Sequence, residues 1–344
     1  MNAGVERPFL KVVQHRHVQL SVVVPVYNEE AGLMKFHQRV AAVLDAMGIP
    51  AEIVLVNDGS SDGSLKVMRQ LAESDRRIAL VDLSRNFGKE IAMTAGLDHA
   101  RGEAVVVIDS DLQDPPEVIP DLMAKWQEGY DVVYAVRIAR DGEPLLKRLT
   151  AYWFYRIMRR VGPMHMPADT GDFRLLSRRA VNALGKLREH HRFMKGLFAW
   201  IGFRQTGVPY RRESRFAGRS SWNYWRLWNF ALEGITSFTA MPLKIATYAG
   251  IITAMLAFVY GLSIIFDTLL HGNRVPGYPS LIVVMLFLGG VQLMSIGIIG
   301  EYLGRMFDES KRRPLYLVND FRPATFFHLS RGMRTHGRRL GRQE

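Results

Sequence analysis

The sequence predicts an α/β domain on a mostly parallel sheet, followed by two apolar helices that turn back on each other. Three features predict it. Short valine-rich runs alternate with helical stretches in the first third of the chain; the runs end in polar or acidic residues; and two long C-terminal stretches contain no Asp, Glu, Lys or Arg. Alternating strands and helices make a sheet covered on both faces, whose strands read as near-continuous apolar runs.

The segment "LSVVVPVYN" reads as a buried strand, and a helical pattern runs from Glu29 to Met47. "AEIVLVNDGSSDGS" repeats the design as strand and polar turn, with Ser60, Ser61 and Asp62 placed to cap a helix over Ser64 to Ser74. "RIALVDLS" gives a third strand, "KEIAMTAGLDHA" a helix and "EAVVVIDSD" a fourth strand. Ligands of such sheets bind beyond the carboxyl ends of the strands. There the chain carries Asn28 and Glu29 after the first strand, Asp58 after the second, and Asp109 and Asp111 after the fourth.

Beyond Asp131 the pattern is less regular. "DVVYAVR" reads as a strand. "LLKRLTAYWFYRIMRRV" is an apolar, basic helix suited to a membrane interface, although a core-packed helix with a solvated basic face fits the same pattern. "SSWNYWRLWNFALEGITSF" has the same character, with Trp222, Trp225 and Trp228 ahead of the first charge-free stretch.

The charge-free stretches run from Ile245 to Phe266 and from Ser280 to Gly300. Each is long enough to cross a hydrocarbon core of about 30 Å, which takes roughly 20 helical residues. The connector from Asp267 to Pro279 carries Gly272, Pro276, Gly277 and Pro279, so a hairpin with both ends on one side is expected. Arg226 and Lys244 precede it and Arg305, Lys311, Arg312 and Arg313 come after it, against Arg274 in the connector. That bias places the N-terminal domain in the cytoplasm.

The expected organisation is an N-terminal extension over 1–19, a catalytic domain over 20–220, an interfacial helix over 221–242, the hairpin over 243–302 and a basic tail over 303–344. The N-terminus shows no signal-peptide pattern. The net charge of +12 fits contact with anionic lipids, since no zinc-finger spacing or helix-turn-helix signature points to nucleic acid. Without cysteine, disulfides and thiolate metal sites are excluded.

The chemistry concentrates in "VVVIDSDLQDPPE". Two carboxylates one residue apart at a strand end suit a hard divalent cation, Mg2+ or Mn2+, bridging to a diphosphate. The cation would act as a Lewis acid on a leaving nucleoside diphosphate. Neither a Gly-x-Gly-x-x-Gly fingerprint nor a Walker A loop is present, which removes the usual support for hydride transfer and P-loop phosphoryl transfer.

Together, "VVVPVYNEE", "VLVNDGSSDGS", "LSRNFGKEIAMTAGLDHARGE" and "VIDSDLQDPPE" resemble the inverting GT-A glycosyltransferases of family 2, of the dolichol-phosphate mannose synthase and bacterial undecaprenyl-phosphate glucosyltransferase type. The similarity runs from about Leu20 to Leu317. It implies a Rossmann-like GT-A domain, interfacial helices and a transmembrane hairpin in a bacterial inner membrane. It further implies a sugar nucleotide as donor, UDP-glucose first, a polyprenyl phosphate as acceptor, and a homo-oligomer such as a tetramer.

The resemblance assigns Pro25, Tyr27, Asn28 and Glu29 to nucleotide binding, Asp58 to the base, Asp109 to the nucleotide side, and Asp111 and Gln113 to the metal. "ADTGDFRLLSRRA" supplies Asp172 near the reacting centre, as an orienting or electrostatic group first and a catalytic base second, because a lipid phosphate is already ionised near neutral pH. Arg137, Arg148 and Arg215 are the implied contacts to the acceptor phosphate. Related sequences often read Gly-x-Ser-Lys after the third arginine; here "AGRSSW" puts Ser221 in the lysine position, leaving Arg219 to supply the charge. Two rival readings share these motifs: a processive polysaccharide synthase, whose Gln-x-x-Arg-Trp motif and additional spans are missing, and a catalytically silent membrane assembly protein.

Overall fold

The computed structural model describes residues 17–138, 170–211, 241–271 and 277–325. Its strands are β1 (Leu20–Val26), β2 (Ala51–Asn57), β3 (Ile78–Leu83), β4 (Ala104–Val107), β5 (Val132–Arg137), β6 (Thr170–Ser177), β7 (Gln205–Tyr210) and β8 (Val318–Arg322). They form one 8-stranded sheet in the order β7-β5-β6-β4-β1-β2-β3-β8. Strands β1 to β4 run parallel, with Leu20 opposite both Ala51 and Ala104. β6 lies antiparallel between β4 and β5, β7 runs parallel to β5, and β8 closes the far edge antiparallel to β3.

The helices are α1 (Glu30–Met47), α2 (Ser64–Ser74), α3 (Lys89–His99), α4 (Ile119–Gln127), α5 (Arg178–Leu184), α6 (Met194–Trp200), α7 (Met241–His271) and α8 (Tyr278–Ser310). Alternation along β1 sends Leu20, Val22, Val24 and Val26 into one layer with Phe36 and Leu44 of α1, Met68 of α2 and Leu122 of α4. Val23 faces the opposite layer with Met93 and Leu97 of α3, Val181 of α5 and Phe198 of α6. Each such large side chain contributes roughly 1.5–3 kcal/mol by leaving water. Gly96 lets α3 approach the sheet closely, because a Cβ there would lie 2.3 Å from Val23 Cγ1.

Two expectations about the C-terminal third need correction. The first apolar helix does not stop at Phe266 but runs through Asp267 to His271, with Asp267 Oδ1 2.9 Å from His271 Nδ1 one turn on. Nor is 303–325 a tail. α8 continues to Ser310, where Glu301 and Arg305 pair at 3.0 Å, and the chain then rejoins the sheet as β8. Ser84 donates to Leu317 O at 3.0 Å, and Asn319 Nδ2 donates to Asp82 at 2.8 Å.

α7 and α8 pack against each other, and each contains a window long and apolar enough to cross a membrane, with none of it buried in the protein. β7, before this hairpin in the chain, and β8, after it, belong to the same sheet. The predicted interfacial helices over 145–161 and 220–238 lie outside the described residues.

Candidate active site

The site is assembled where the parallel strands end. Asp58 N donates to Val26 O at 2.9 Å, carrying the β1–β2 pairing into the loops. Asn28 adopts a left-handed φ of 55°, a region that asparagine tolerates better than most residues. Its amide donates to Ser60 Oγ at 3.1 Å, and its Oδ1 accepts from Ser61 N at 2.8 Å. Glu29 N donates to Ser64 Oγ at 2.9 Å, and Gly63 N donates to Glu30 Oε2 at 2.9 Å. Asp62 Oδ1 takes the Ser64 amide at 2.9 Å, close to the predicted capping of α2. The segment after Pro25 and the loop after β2 are therefore laced into one ledge. Pro25 is buried within β1, while Tyr27 stands 49% exposed above the ledge.

Asp58 is buried, and its carboxylate accepts from Phe87 N at 2.7 Å and Gly88 N at 3.0 Å, the amides that lead into α3. Burial pushes its carboxyl up and the two amides pull it down, with a net rise. Gly59 makes the contact possible: at φ 62°, a Cβ would lie 2.4 Å from the backbone of Arg85 and Asn86. Asp58 thus fixes the start of α3 to the end of β2.

At the end of β4, Ser110 Oγ donates to Pro25 O at 3.3 Å and Gln113 N donates to Asp111 Oδ1 at 3.1 Å. Between them Leu112 is buried in the left-handed region at φ 60°. For a leucine that conformation costs on the order of 1–3 kcal/mol, and such strain concentrates where geometry serves function. It turns the chain sharply between Asp111 and Gln113.

The electrostatic centre was not legible in the sequence. Lys89, in the first turn of α3, donates through Nζ to Asp109 Oδ2 at 2.7 Å and to Asp172 Oδ2 at 2.5 Å. Three separate elements, α3, the end of β4 and the start of β6, thereby meet at one ammonium. The Lys89 side chain keeps 44% of its surface exposed, with its ammonium held between the two carboxylates. Burial opposes its charge, and the two aspartates outweigh burial, so Lys89 stays protonated well above the usual lysine range. Burial likewise works against the Asp172 anion, but Lys89 and then Lys195 hold its carboxyl well below the usual range. Asp172 Oδ1 is buried and accepts no hydrogen bond among the described residues.

Glu90 extends this cluster. Burial, and next the Asp172 charge, push its carboxyl up to about 7, and the Met194 amide opposes that by donating to it. Its Oε2 has no partner among the described residues. Arg174 is buried with its guanidinium 3.9 Å over the Phe198 ring and donates to Gly171 O at 2.7 Å. Burial lowers it to about 10 against the pull of Asp172 and Glu90.

Arg137, at the end of β5, donates through Nε to the Tyr210 hydroxyl at 3.2 Å, and that hydroxyl donates to buried Asp114. Its guanidinium runs along Gly171, where a Cβ would come within 2.9 Å of it, and so lies beside Asp172. The structure therefore gathers Asp109, Asp172 and Arg137, and sets Asn28, Asp58, Asp111 and Gln113 in neighbouring loops. Arg148, Arg215 and Arg219 lie outside the described residues. Sequence reasoning missed Lys89, Glu90, Asp114, Arg174, Lys195 and Tyr210. The available signal was the charged pair of "NFGKE", which comes after a glycine at a helix start on the ligand-binding edge.

Residues 21–185 match the model of "Glycosyl transferase family 2", and residues 241–306 match "GtrB C-terminal hairpin". A glycosyltransferase of Synechocystis is 54% identical over 88% of this chain and 95% of its own length. The bactoprenol glucosyl transferase of Shigella phage SfV is 48% identical over 88% of this chain and 99% of its own. The prophage bactoprenol glucosyl transferase homolog of Escherichia coli is 47% identical over 88% and 98%.

Proposed function

Because the chain belongs to glycosyl transferase family 2 and carries the GtrB C-terminal hairpin, we propose that it transfers glucose from UDP-glucose to a polyprenyl phosphate at a membrane surface. Relatives bearing the bactoprenol glucosyl transferase name, similar over almost their whole length, support the sugar and the lipid. The observation that carries the chemistry is the meeting of Asp109 and Asp172 at Lys89 Nζ. It sets Asp109, which we read as the nucleotide-side carboxylate, and Asp172, which we read as the reacting-centre carboxylate, on either side of one fixed cation.

In the proposed reaction a phosphate oxygen of the acceptor attacks the anomeric carbon. The bond from that carbon to the β-phosphate oxygen breaks, and the nucleoside diphosphate leaves with the electron pair and inverted sugar geometry behind it. The acceptor phosphate is already an anion and needs no base. An ionised Asp172 suits a different task, stabilising positive charge that builds on the sugar ring. Arg137, joined by Arg148, Arg215 and Arg219, would hold the acceptor phosphate by bidentate guanidinium contacts.

A divalent ion fits the residues present. Asp111 and Gln113 offer hard oxygen donors around the strained Leu112, and among the described residues no group of three His, Asp or Glu side chains forms a cage. That donor set suits Mg2+ or Mn2+ held by one or two protein oxygens and completed by diphosphate oxygens. When bound, such an ion neutralises charge on the leaving group. The return of β8 to the sheet and the basic residues flanking the hairpin support a catalytic domain and both chain ends on the cytoplasmic face of a bacterial inner membrane.

The test is incubation of purified full-length protein with radiolabelled UDP-glucose, Mg2+ or Mn2+, and undecaprenyl phosphate. Label is expected in the lipid extract as a glucosyl phospholipid by mass spectrometry. Label confined to the aqueous phase with and without the lipid overturns the reading. Asp111→Ala is expected to abolish transfer while the protein stays folded in membranes.

A further inference from the structure

The C-terminal end of α8 meets the catalytic domain at the loop 185–193, between α5 and α6. His190 N donates to Glu309 Oε1 at 2.6 Å, its Nδ1 lies 3.2 Å from Glu309 Oε2, and its Nε2 lies 2.8 Å from Arg313 O. Beside it His191 Nε2 sits 3.4 Å from Asp308 Oδ2. One glutamate at the end of an apolar helix thus holds both the backbone and the ring of a single histidine.

From His190 the chain soon enters the protein interior. Arg192, Phe193 and Met194 are all buried, and Arg192 donates to Leu187 O. The next residues reach α3 beside the reacting centre: buried Met194 packs against Thr94, whose Oγ1 lies 3.9 Å from its Sδ, its amide bears on Glu90, and the charge of Lys195 bears on both Asp172 and Glu90. Four residues of chain reach at most about 14 Å, and close-packed interiors transmit displacement rather than absorb it.

We propose that Glu309 is a positioning residue for transfer: through His190 it sets the loop that delivers the Met194 amide and Lys195 to the Asp172–Glu90 cluster. The membrane hairpin is then part of the catalytic geometry as well as an anchor. This rests on the reading that Asp172 serves the reacting centre.

The test uses full-length protein in lipid vesicles, with Glu309→Gln, His190→Ala, their double variant and Asp172→Asn. Each single variant at the contact is expected to lower kcat about tenfold, the scale of a lost charge-assisted hydrogen bond, with nucleotide-sugar KM within about twofold of the original. The double variant should be no slower than either single one, because both break the same contact. Amide exchange across residues 186–195 should accelerate in Glu309→Gln. Original kcat in Glu309→Gln, additive losses in the double variant, or unchanged exchange overturns the proposal. If Asp172→Asn is inactive while Glu309→Gln is unaffected, only this inference fails; if Asp172→Asn keeps full activity, the reading of the reacting centre fails instead.

Discussion

The ledge formed by the loops after β1 and β2 and the cluster at the start of β6 lie on the same sheet edge but are finished differently. On the ledge, Asn28, Glu29, Glu30, Asp58 and Asp62 are already bonded to one another's loops or to the start of α3. In the cluster, Glu90 Oε2, Asp172 Oδ1 and Arg174 Nε are buried without hydrogen-bond partners among the described residues. Burial works against the charge of all three groups, and in Asp172 the pull of Lys89 and Lys195 outweighs it, so the cluster is a balance of opposed charges where the ledge is a set of closed hydrogen bonds. A ledge complete by itself suits rigid capture of a ligand; a cluster with unmet polar groups suits charge that develops only during reaction.

Substitutions can break that division, and the largest effect is expected at Asp172. Asp172→Asn should lower kcat by about a thousandfold while nucleotide-sugar KM moves less than about threefold, in steady-state transfer assays. A raised KM at unchanged kcat would put Asp172 on the binding side and dissolve the contrast. Lys89 touches both regions. Lys89→Met leaves Asp109 and Asp172 facing each other without their shared cation, and should lower kcat about a hundredfold and raise KM as well. It should also move the acid limb of the pH–rate profile to higher pH, because Asp172 loses the charge that holds its carboxyl down.

Asn28 probes the ledge alone. Asn28→Gly keeps the left-handed backbone but deletes the acceptor for Ser61, so KM should rise about tenfold with kcat nearly unchanged. A matching fall in kcat would mean that the ledge also shapes the transition state.

The same contrast explains what the sequence revealed. β1 to β4 were legible because strands buried on both faces write themselves as apolar runs, and Asp109 and Asp58 because they end such runs. β6 was not, since "TGDFRLLS" places Asp172 and Arg174 among apolar residues and lies antiparallel between strands far from it in sequence. β8 was hidden behind the hairpin, with Leu317, Val318 and Phe321 still exposed. Lys89 was visible only as one charged residue in a helix; its partners stand 20 and 83 residues away, a distance that periodicity does not span.

The smallest effect is on stability, and it concerns Glu90. Its carboxyl titrates near 7 in the folded protein, raised by burial and the Asp172 charge from an ordinary glutamate value of 4.5. Between those two values the folded state binds a proton that the unfolded chain has released, so stability falls as pH rises through this window and levels off above it. Glu90→Gln carries no titratable proton and keeps an acceptor for the Met194 amide. Its thermal midpoint should therefore match the original protein near pH 4.5 and exceed it by several degrees near pH 8, where the linkage of the raised carboxyl is fully lost. Equal midpoints at both values would show that the cluster accepts the Glu90 anion without strain, and the contrast with the ledge would then rest on Asp172 and Arg174 alone.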